Sequence, residues 1–198
     1  MSDADRERWN ARYAAGSHAD RDKPCGVLQA FMHLAPPGRA LDVACGAGRN
    51  ALFLARHGYA VDALDISAVA LQLGAEISTQ PPTLDITWHC VDLLDAPRLP
   101  DQPYQLVLLC HFIAPRLLMQ LPAHLAPGGV LLVEEHLQWP DPVAGPGSSR
   151  FRVAPGSLRE LLFESAPELE VVHEFEGLVE NDNGEPSALA RLVLRRPG

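Results

Sequence analysis

The chain has 198 residues, 47% of them hydrophobic and 21% charged, which suits one globular domain with a complete core. Its net charge of −9 and its scattered Arg and Lys residues exclude the basic face that nucleic-acid-binding proteins carry. No apolar run approaches the ~20 residues that span a bilayer, and the polar N-terminus lacks a signal-peptide core. We therefore expect a cytoplasmic protein whose partners include neither nucleic acid nor a membrane.

Residues 1–36 predict a helical cap on the domain. A first helix is expected to reach about Ala15, begun by an imperfect capping box of Ser2 and Asp5. A second, short helix is expected over 27–34, because two prolines and a glycine follow it directly. The cap therefore precedes the first strand of the domain.

From residue 40 onward, apolar runs typical of strands alternate with segments typical of helices. The predicted strands are 40–44, 59–64, 85–91, 104–110 and 130–135, and the predicted helices are 49–57, a segment capped by Ser67, and 115–125. This alternation predicts a doubly wound, mostly parallel sheet with right-handed crossovers.

The C-terminal third breaks this alternation. Residues 138–156 are rich in Pro, Gly and Ser, and we expect them to form a long loop over the active site. Ser157 and Glu160 form a capping box for a short helix. Two strand-like segments, 169–179 and 188–194, flank an Asn-Gly pair typical of a hairpin turn. The predicted fold is thus a single α/β domain over the whole chain, with a mostly parallel seven-stranded sheet that ends in an antiparallel hairpin.

The stretch 39–50, RALDVACGAGRN, has the pattern of a strand, a tight turn and the start of a helix. Gly46 and Gly48 allow the turn backbone to approach a ligand closely, and the helix N-terminus offers unpaired N–H groups to an anion. Such a turn also occurs in α/β domains that bind nothing there. The neighbouring carboxylates decide between these interpretations.

Three carboxylates lie at or near the carboxyl ends of the first three predicted strands: Asp42, Asp65 and Asp92. Ligands of open α/β sheets bind outside these strand ends. Asp65 follows the glycines by about twenty residues, where a carboxylate accepts hydrogen bonds from both ribose hydroxyls. This much fits NAD equally well, since the turn also satisfies the pattern G-x-G-x-x-A.

The positions of Asp42 and Asp92 favour a different nucleotide. A carboxylate at Asp42, within the first strand, would repel a pyrophosphate and attract an ammonium group. Asp92 is placed to accept a hydrogen bond from an adenine amino group. An ammonium group, a ribose and an adenine, in that order, occur together in S-adenosylmethionine.

These features resemble the class I S-adenosylmethionine-dependent methyltransferases, and in particular the small branch that includes the tellurite-resistance methyltransferases. The matching segments are WNARY (9–13), LDVACGAGRNALFLA (41–55), VDALDIS (61–67), VDLLD (91–95), LPDQPYQLVLL (99–109), LAPGGVLLVEE (125–135) and FRVAPGSLREL (151–161). They follow the family's order and span nearly the whole chain. The resemblance implies an enzyme that uses S-adenosylmethionine and releases S-adenosylhomocysteine.

The resemblance also implies how the cofactor is bound. Asp42 and the glycine backbone hold the methionine part, and Asp65 holds the ribose. Ile66 packs on the adenine, whose edge is read by Asp92 and the Leu93 backbone. The complete set of expected cofactor-binding residues is Asp42, Ala44, Cys45, Gly46, Gly48, Asn50, Asp65, Ile66, Asp92, Leu93 and Cys110.

Two residues of the turn have alternative interpretations. The family usually has glycine where this chain has Ala44, and the extra methyl group narrows the turn and weakens the case for a direct contact by Ala44. Cys45 lies in the same turn, where a small buried apolar residue is the simpler interpretation.

The sulfonium already makes the methyl group electrophilic, so the protein has mainly to align a nucleophile behind the methyl carbon. A base is needed only for a nucleophile that arrives protonated, and the candidate is His111, which is otherwise a hydrogen-bonded residue at a strand end. Trp9 and Tyr13 either wall the acceptor pocket or pack the first helix. Arg152 either attracts an anionic acceptor or is solvated. We expect a small acceptor (a thiol, an amine or a chalcogen oxyanion) and a monomer or homodimer.

No metal is expected. Histidines and glutamates gather near the ends of the fourth and fifth strands, but their spacing matches no defined metal site. They are His111, Glu134, Glu135 and His136. The four cysteines form no C-x-x-C pair, and reduced thiols are the default in a cytosolic protein.

Two other functions stay open. An NAD(P)-dependent oxidoreductase shares the sheet and the turn, although the sequence shows no residue set for hydride transfer. A non-catalytic module that binds S-adenosylmethionine is also compatible with the sequence, because a fold does not determine function.

Overall fold

The computed structural model of the chain describes residues 3–16, 23–95 and 98–198, so the expected cap residue Ser2 lies outside the described residues. The strands are β1 (Arg39–Val43), β2 (Ala60–Asp65), β3 (Ile86–Cys90), β4 (Tyr104–Cys110), β5 (Leu125–His136), β6 (Glu170–Glu180) and β7 (Pro186–Arg195). The α-helices are α1 (Asp3–Ala14), α2 (Gly26–Phe31), α3 (Arg49–Arg56), α4 (Ala68–Ser78), α5 (Pro115–Leu118) and α6 (Ser157–Ser165). Short 3₁₀ turns cover Met32–Leu34, Leu121–His124 and Ser149–Phe151. Within the described residues, no helix is long and apolar enough to cross a membrane.

The seven strands form one sheet in the order β3-β2-β1-β4-β5-β7-β6. Strands β1 to β5 run parallel to one another, whereas β7 is antiparallel to both β5 and β6. The predicted sheet, mostly parallel and ending in an antiparallel hairpin, is confirmed. The strand order reverses between the neighbouring strands β1 and β4. Because the connections that follow these two strands run to opposite faces of the sheet, a crevice opens between the carboxyl ends of the strands.

Alternating side chains of β4 reach two separate cores. Val107 and Leu109 pack on one face with α5 and α6, while Leu106 and Leu108 pack on the other face with α2 and α3. All four are fully buried, because helices cover both faces of the sheet. The nearly continuous apolar run of this segment is therefore that of a central strand.

Two helix predictions are wrong in detail. The helix expected over 115–125 ends after one turn as α5 and is followed by a 3₁₀ turn, because Pro122 lacks the N–H that an α-helix needs there. Ser157 does not cap α6. Gly156 occupies the N-cap position with φ of 78°, and Ser157 Oγ donates to the carbonyl of Ala154 at 2.7 Å.

The predicted cap Ser67 is confirmed and also anchors α1. Its Oγ accepts a hydrogen bond from the N–H of Ala70 at 3.2 Å and donates to Oδ1 of Asn10 at 2.8 Å. The same Asn10 oxygen accepts from the N–H of Val69 at 3.4 Å. Because α1 contains no buried residue, polar contacts of this kind fix it across the start of α4.

The buried carboxylate of Asp62 connects four strands of the sheet. Asp62, on β2, accepts hydrogen bonds from Arg39 of β1 at 2.8 Å, His89 of β3 at 2.7 Å and Tyr104 of β4 at 2.9 Å. Burial acts to raise the pKa of Asp62, but the bonds from these three donors hold it below its ordinary value of 3.8. The ionised carboxylate therefore stabilises the fold above that pH, and this contribution is lost as the pH falls through the lowered pKa.

We predict that Tyr104→Phe lowers the free energy of unfolding by about 2 kcal/mol, because it removes a hydrogen bond to a buried charged acceptor. Tyr59→Phe is the matched control. Tyr59 is similarly buried, but its hydroxyl donates to the neutral carbonyl of Ala35 at 2.7 Å, so a loss of about 1 kcal/mol is expected. Urea denaturation at pH 7 measures both losses, and equal losses would contradict the role given to Asp62.

Candidate functional site

A cavity of about 550 Å³ opens at the carboxyl ends of β1, β2 and β4, where the strand order reverses. A volume of this order holds one drug-sized ligand. The predicted site residues that line the cavity are Trp9, Tyr13, Ala44, Cys45, Gly46, Asn50, Asp65, Ile66, Leu93, Cys110 and His111. The predicted residues that do not line it are Asp42, Gly48, Asp92 and Arg152.

The turn after β1 presents its backbone to the cavity. Ala44 and Gly46 have φ of 58° and 57°, in the left-handed region that L side chains rarely adopt. A side chain at Gly46 would meet the hydroxyl of Tyr13 and would adopt this strained conformation, so glycine is favoured there. Ala44 keeps its methyl group at a cost of about 1–2 kcal/mol, which the glycine usual in the family would avoid.

Gly48 does not line the cavity, and its predicted contact with the cofactor stays a prediction. It is the N-cap of α3 with φ of 80°, and a side chain there would collide with the ring of Trp88. Its role is therefore to let β3 pack closely beneath the turn. Asn50 lines the cavity, and its Oδ1 also accepts a hydrogen bond from the N–H of Cys25 at 2.9 Å. Cys45 is buried in the turn, and a small part of the residue lines the cavity.

Asp65 connects two turns at the cavity wall. Its Oδ2 accepts a hydrogen bond from the N–H of Gly46 at 2.9 Å, and its Oδ1 accepts from the N–H of Ser67 at 2.8 Å. Burial raises the pKa of Asp65, and these N–H groups oppose the rise. Each carboxylate oxygen has a second lone pair, so a ligand hydroxyl in the cavity still finds an acceptor.

Asp42 does not reach the cavity, contrary to the sequence prediction. It is 1% exposed and lies behind the turn, where the N–H of Ala51 in the first turn of α3 donates to it. Burial raises the pKa of Asp42 to about 7, and the positive charge of Arg49 opposes the rise. Asp42 therefore supports the turn from within the sheet. Its position is consequently no evidence for a ligand with an ammonium group over a ligand with a pyrophosphate.

Asp92 also lies outside the cavity, while its neighbour Leu93 lines it. The Oδ1 of Asp92 accepts a hydrogen bond from the N–H of Leu94 at 2.9 Å. This hydrogen bond holds the Asp92 carboxylate at the chain that follows β3. Ile66 and Leu93 contribute apolar side chains to the cavity wall.

Helix α1 places two aromatic rings over the cavity. Trp9 and Tyr13 both line it, with their ring centroids 6.3 Å apart. Asn10, between them, is the residue that anchors the helix to α4. Within the described part of the N-terminal segment, α1 therefore lies at the cavity.

His111 follows β4 and turns its ring toward the cavity. Its φ is 56°, a conformation that histidine tolerates better than most residues. Its N–H donates to the carbonyl of Glu134 at 2.9 Å, and its ring stacks on His136 with centroids 4.3 Å apart. Its Nε2 lies 3.6 Å from Oε1 of Glu134. The imidazole is thus held beside a buried carboxylate.

The loop 138–156 lies against β5 and β7 and does not line the cavity, contrary to its predicted place over the site. Arg152 holds this loop together. Its guanidinium donates to the carbonyls of Pro146, Leu137 and Ala144 at 2.9, 3.0 and 3.2 Å. These bonds draw Arg152 into the loop and away from an acceptor in the cavity.

Several residues of the cavity wall escaped the sequence analysis, and Arg49 and Phe112 are two of them. Arg49 is the first residue of α3, directly after the glycine turn, and this position was the signal for it. Phe112 gave no such signal. It lines the cavity because the chain turns at His111 and its N–H donates to Oε1 of Glu135 at 2.8 Å.

Known proteins resemble this chain in sequence and in fold. Residues 40–129 match the family described as a methyltransferase domain. The crystal structure of TehB from Haemophilus influenzae has a TM-score of 0.73 and 21% identity, over 93% of this chain and 66% of that one. A TehB-like SAM-dependent methyltransferase from Corynebacterium glutamicum has a TM-score of 0.64 and 18% identity, over 98% of this chain and 100% of that one. The predicted resemblance is thus confirmed for the fold, which this chain shares with these methyltransferases, and for the match of residues 40–129.

A curated relative matches a shorter segment. The ribosomal RNA small subunit methyltransferase C of Alcanivorax borkumensis is 38% identical over 63 residues, which are 30% of this chain and 19% of the relative. The chain thus matches about a fifth of that protein's length. The match supports the methyltransferase domain and carries no information on the acceptor.

We predict that Asp42→Asn changes how stability depends on pH. Unfolded Asp42 ionises near 3.8, whereas the folded residue ionises near 7, so the unfolding free energy of the natural protein falls as the pH rises through this window. The amide does not titrate. From pH 5 to pH 8, stability should change in favour of the variant by about 2–3 kcal/mol relative to the natural protein.

Urea denaturation of both proteins at the two pH values measures this change. Glu135, whose pKa burial raises to about 8, adds the same pH dependence to both proteins and cancels in the comparison. A stability difference that stays constant between pH 5 and pH 8 would contradict the burial of an ionisable Asp42.

Proposed function

We propose that this chain, whose residues 40–129 form a methyltransferase domain, transfers a methyl group from S-adenosylmethionine to a small acceptor held beneath α1. One observation carries this proposal. The 550 Å³ cavity joins the turn after β1, the carboxylate of Asp65 and the aromatic rings of α1 in a single space. A nucleoside, its charged tail and an acceptor require these three surfaces.

The cofactor would lie along the wall formed by the ends of β1 and β2. Its ribose hydroxyls donate to Asp65, which is already held in place by two backbone N–H groups. Its adenine packs between the apolar Ile66 and Leu93. Its methionine part lies against the backbone of Ala44 and Gly46, where the left-handed conformations turn peptide groups toward the cavity. Asp42 supports this turn from behind and does not line the cavity.

The reaction needs an acceptor atom aligned behind the methyl carbon, and alignment of bound reactants is a large part of rate enhancement. His111 borders the part of the cavity next to β4 and is the group placed to accept a proton from a thiol or an amine. An acceptor that arrives as an oxyanion needs no base. Trp9 and Tyr13 lie over the cavity, where they would reduce the access of water to a bound acceptor.

A small acceptor fits this cavity better than RNA does. The net charge of −9 opposes the approach of a polyanion, whose binding rests on many Lys and Arg contacts to phosphate. The relative that is named as a ribosomal RNA methyltransferase shares only 63 matched residues with this chain. Thiols, amines and chalcogen oxyanions are the acceptors that we propose.

We predict that Asp65→Ala weakens the binding of S-adenosylhomocysteine about 10²-fold, because a ligand loses hydrogen bonds to a charged acceptor worth roughly 1.5–3 kcal/mol each. Asp85→Asn is the control. Asp85 is exposed and directly precedes β3, at the end of the strands opposite to the cavity. Isothermal titration calorimetry measures both dissociation constants and compares NADH as a rival ligand. An unchanged constant for Asp65→Ala would refute the ribose contact, and tighter binding of NADH would favour the oxidoreductase.

We also predict that His111→Asn lowers kcat by about 10²–10³-fold for acceptors that must lose a proton, and by much less for oxyanions. Asparagine tolerates the left-handed backbone at this position, so the substitution leaves the turn intact. Transfer of a labelled methyl group to small thiols, amines, selenite, tellurite and ribosomal RNA measures the effect. Transfer to RNA alone would overturn the proposed acceptor class, and transfer to none of them would favour a non-catalytic binding module.

A further inference from the structure

Two thiols and a carboxylate meet at the floor of the cavity. Cys25 precedes α2, Cys110 ends β4 and lines the cavity, and Glu134 lies on β5. Their ligand atoms all lie within 4.8 Å of one another, and the two sulfur atoms are 2.8 Å apart. We propose that this Cys25–Cys110–Glu134 cluster binds a soft divalent cation of the zinc class.

The three side chains are of the types that such a cation prefers. Thiolate sulfur binds zinc at about 2.3 Å and carboxylate oxygen at about 2.0–2.2 Å, which places the ligand atoms of a tetrahedral site roughly 3–4 Å apart. The cluster is close to these separations, and small rotations of the two cysteine side chains bring the sulfur atoms to them. Cys25 and Glu134 are buried, whereas Cys110 is partly exposed at the cavity wall and gives an ion a path of entry.

Hydrogen bonds with neighbouring groups orient the residues of the cluster. The N–H of Cys25 donates to the side chain of Asn50 at 2.9 Å, which fixes the start of α2 against α3. The Oε2 of Glu134 accepts from Nε of Arg191 at 2.7 Å and from the N–H of Val27 at 3.0 Å. These bonds orient the carboxylate and leave Oε1 as the oxygen that binds the ion. Such supporting hydrogen bonds are typical of metal sites.

The fourth position of a tetrahedral site is left to a solvent molecule from the cavity. Cys25, Cys110 and Glu134 supply three ligands, and a metal site with three protein ligands keeps its fourth position for water. His111 follows Cys110 in the chain, with its Nε2 3.6 Å from Oε1 of Glu134, and stacks on His136 outside the ligand set. The proposed role of His111 as a proton acceptor is therefore compatible with an occupied site.

The charges of the occupied site cancel. As each sulfur–metal bond forms, the thiol of Cys25 or Cys110 releases its proton to solvent, so the two thiolates and Glu134 together carry three negative charges. The divalent ion and the guanidinium of Arg191 supply three positive charges. Isolated buried charges are costly, whereas a neutral, fully coordinated group is not. This balance favours a divalent ion over a monovalent or trivalent one.

The site is tested with reduced, metal-free protein titrated with Co²⁺, whose visible absorption reports tetrahedral thiolate coordination. One equivalent should bind and should then be displaced by Zn²⁺. Cys25→Ser, Cys110→Ser and Glu134→Gln should each weaken Co²⁺ binding about 10²-fold or more. Cys90→Ser is the control, because Cys90 is an exposed cysteine outside the cluster and should leave binding unchanged.

A second measurement needs no variant and therefore does not depend on how the variants fold. Zn²⁺ should protect Cys25 and Cys110 of the natural protein from alkylation, as read by mass spectrometry, and leave Cys90 reactive. Absence of stoichiometric Co²⁺ binding, unprotected thiols, or undiminished binding in either cluster cysteine variant would overturn the proposal. Formation of a Cys25–Cys110 disulfide in air by a protein that binds no Co²⁺ when reduced would also overturn it.

The metal site and methyl transfer can fail separately. The Asp65→Ala variant should bind Co²⁺ like the natural protein, since Asp65 does not belong to the cluster. Loss of S-adenosylhomocysteine binding with intact Co²⁺ binding in that variant tests the cofactor site alone. Loss of both ligands would contradict their independence.

Discussion

The site depends on the two hydrogen bonds that the carboxylate of Asp65 accepts. By accepting from the N–H groups of Gly46 and Ser67, this carboxylate links the turn after β1 to the start of α4. Two neighbouring strand-to-helix turns are thereby held at a fixed separation, and the cavity is the space between them and β4. Because the carboxylate is satisfied by backbone groups, it is oriented before any ligand arrives, which reduces the ordering that binding requires.

The N-terminus of α4, beside Asp65, also positions α1 over the cavity. Ser67 caps α4 and donates to Asn10 of α1, so the helix that carries Trp9 and Tyr13 is anchored beside Asp65. Helix α1 has no buried residue, whereas the strands beneath it are buried on both faces. Elements with few buried apolar contacts open at the lowest free-energy cost, so α1 is the element best suited to admit and release ligands.

The alternation of strand-like and helix-like segments was enough to predict the parallel sheet, because a strand buried on both faces, such as β4, is a nearly continuous apolar run in the sequence. The Asn-Gly pair between the last two strands predicted the closing hairpin. Asp65 and Gly46 were predicted because their spacing follows from the βαβ geometry. The orientations of Asp42 and Asp92 were not, since strand ends fix where a residue lies and not which way it points. Arg152 was misplaced because loop carbonyls capture its guanidinium. Cys25 and Cys110, 85 residues apart, are joined only by tertiary packing, and no spacing rule reveals them.

A crystal structure with S-adenosylhomocysteine is the most direct test of the central claim. The account predicts the ribose hydroxyls within hydrogen-bonding distance of Asp65, the adenine between Ile66 and Leu93, and the sulfur directed toward His111 with space left beneath Tyr13. A nucleoside bound elsewhere, or a ribose turned away from Asp65, would contradict it.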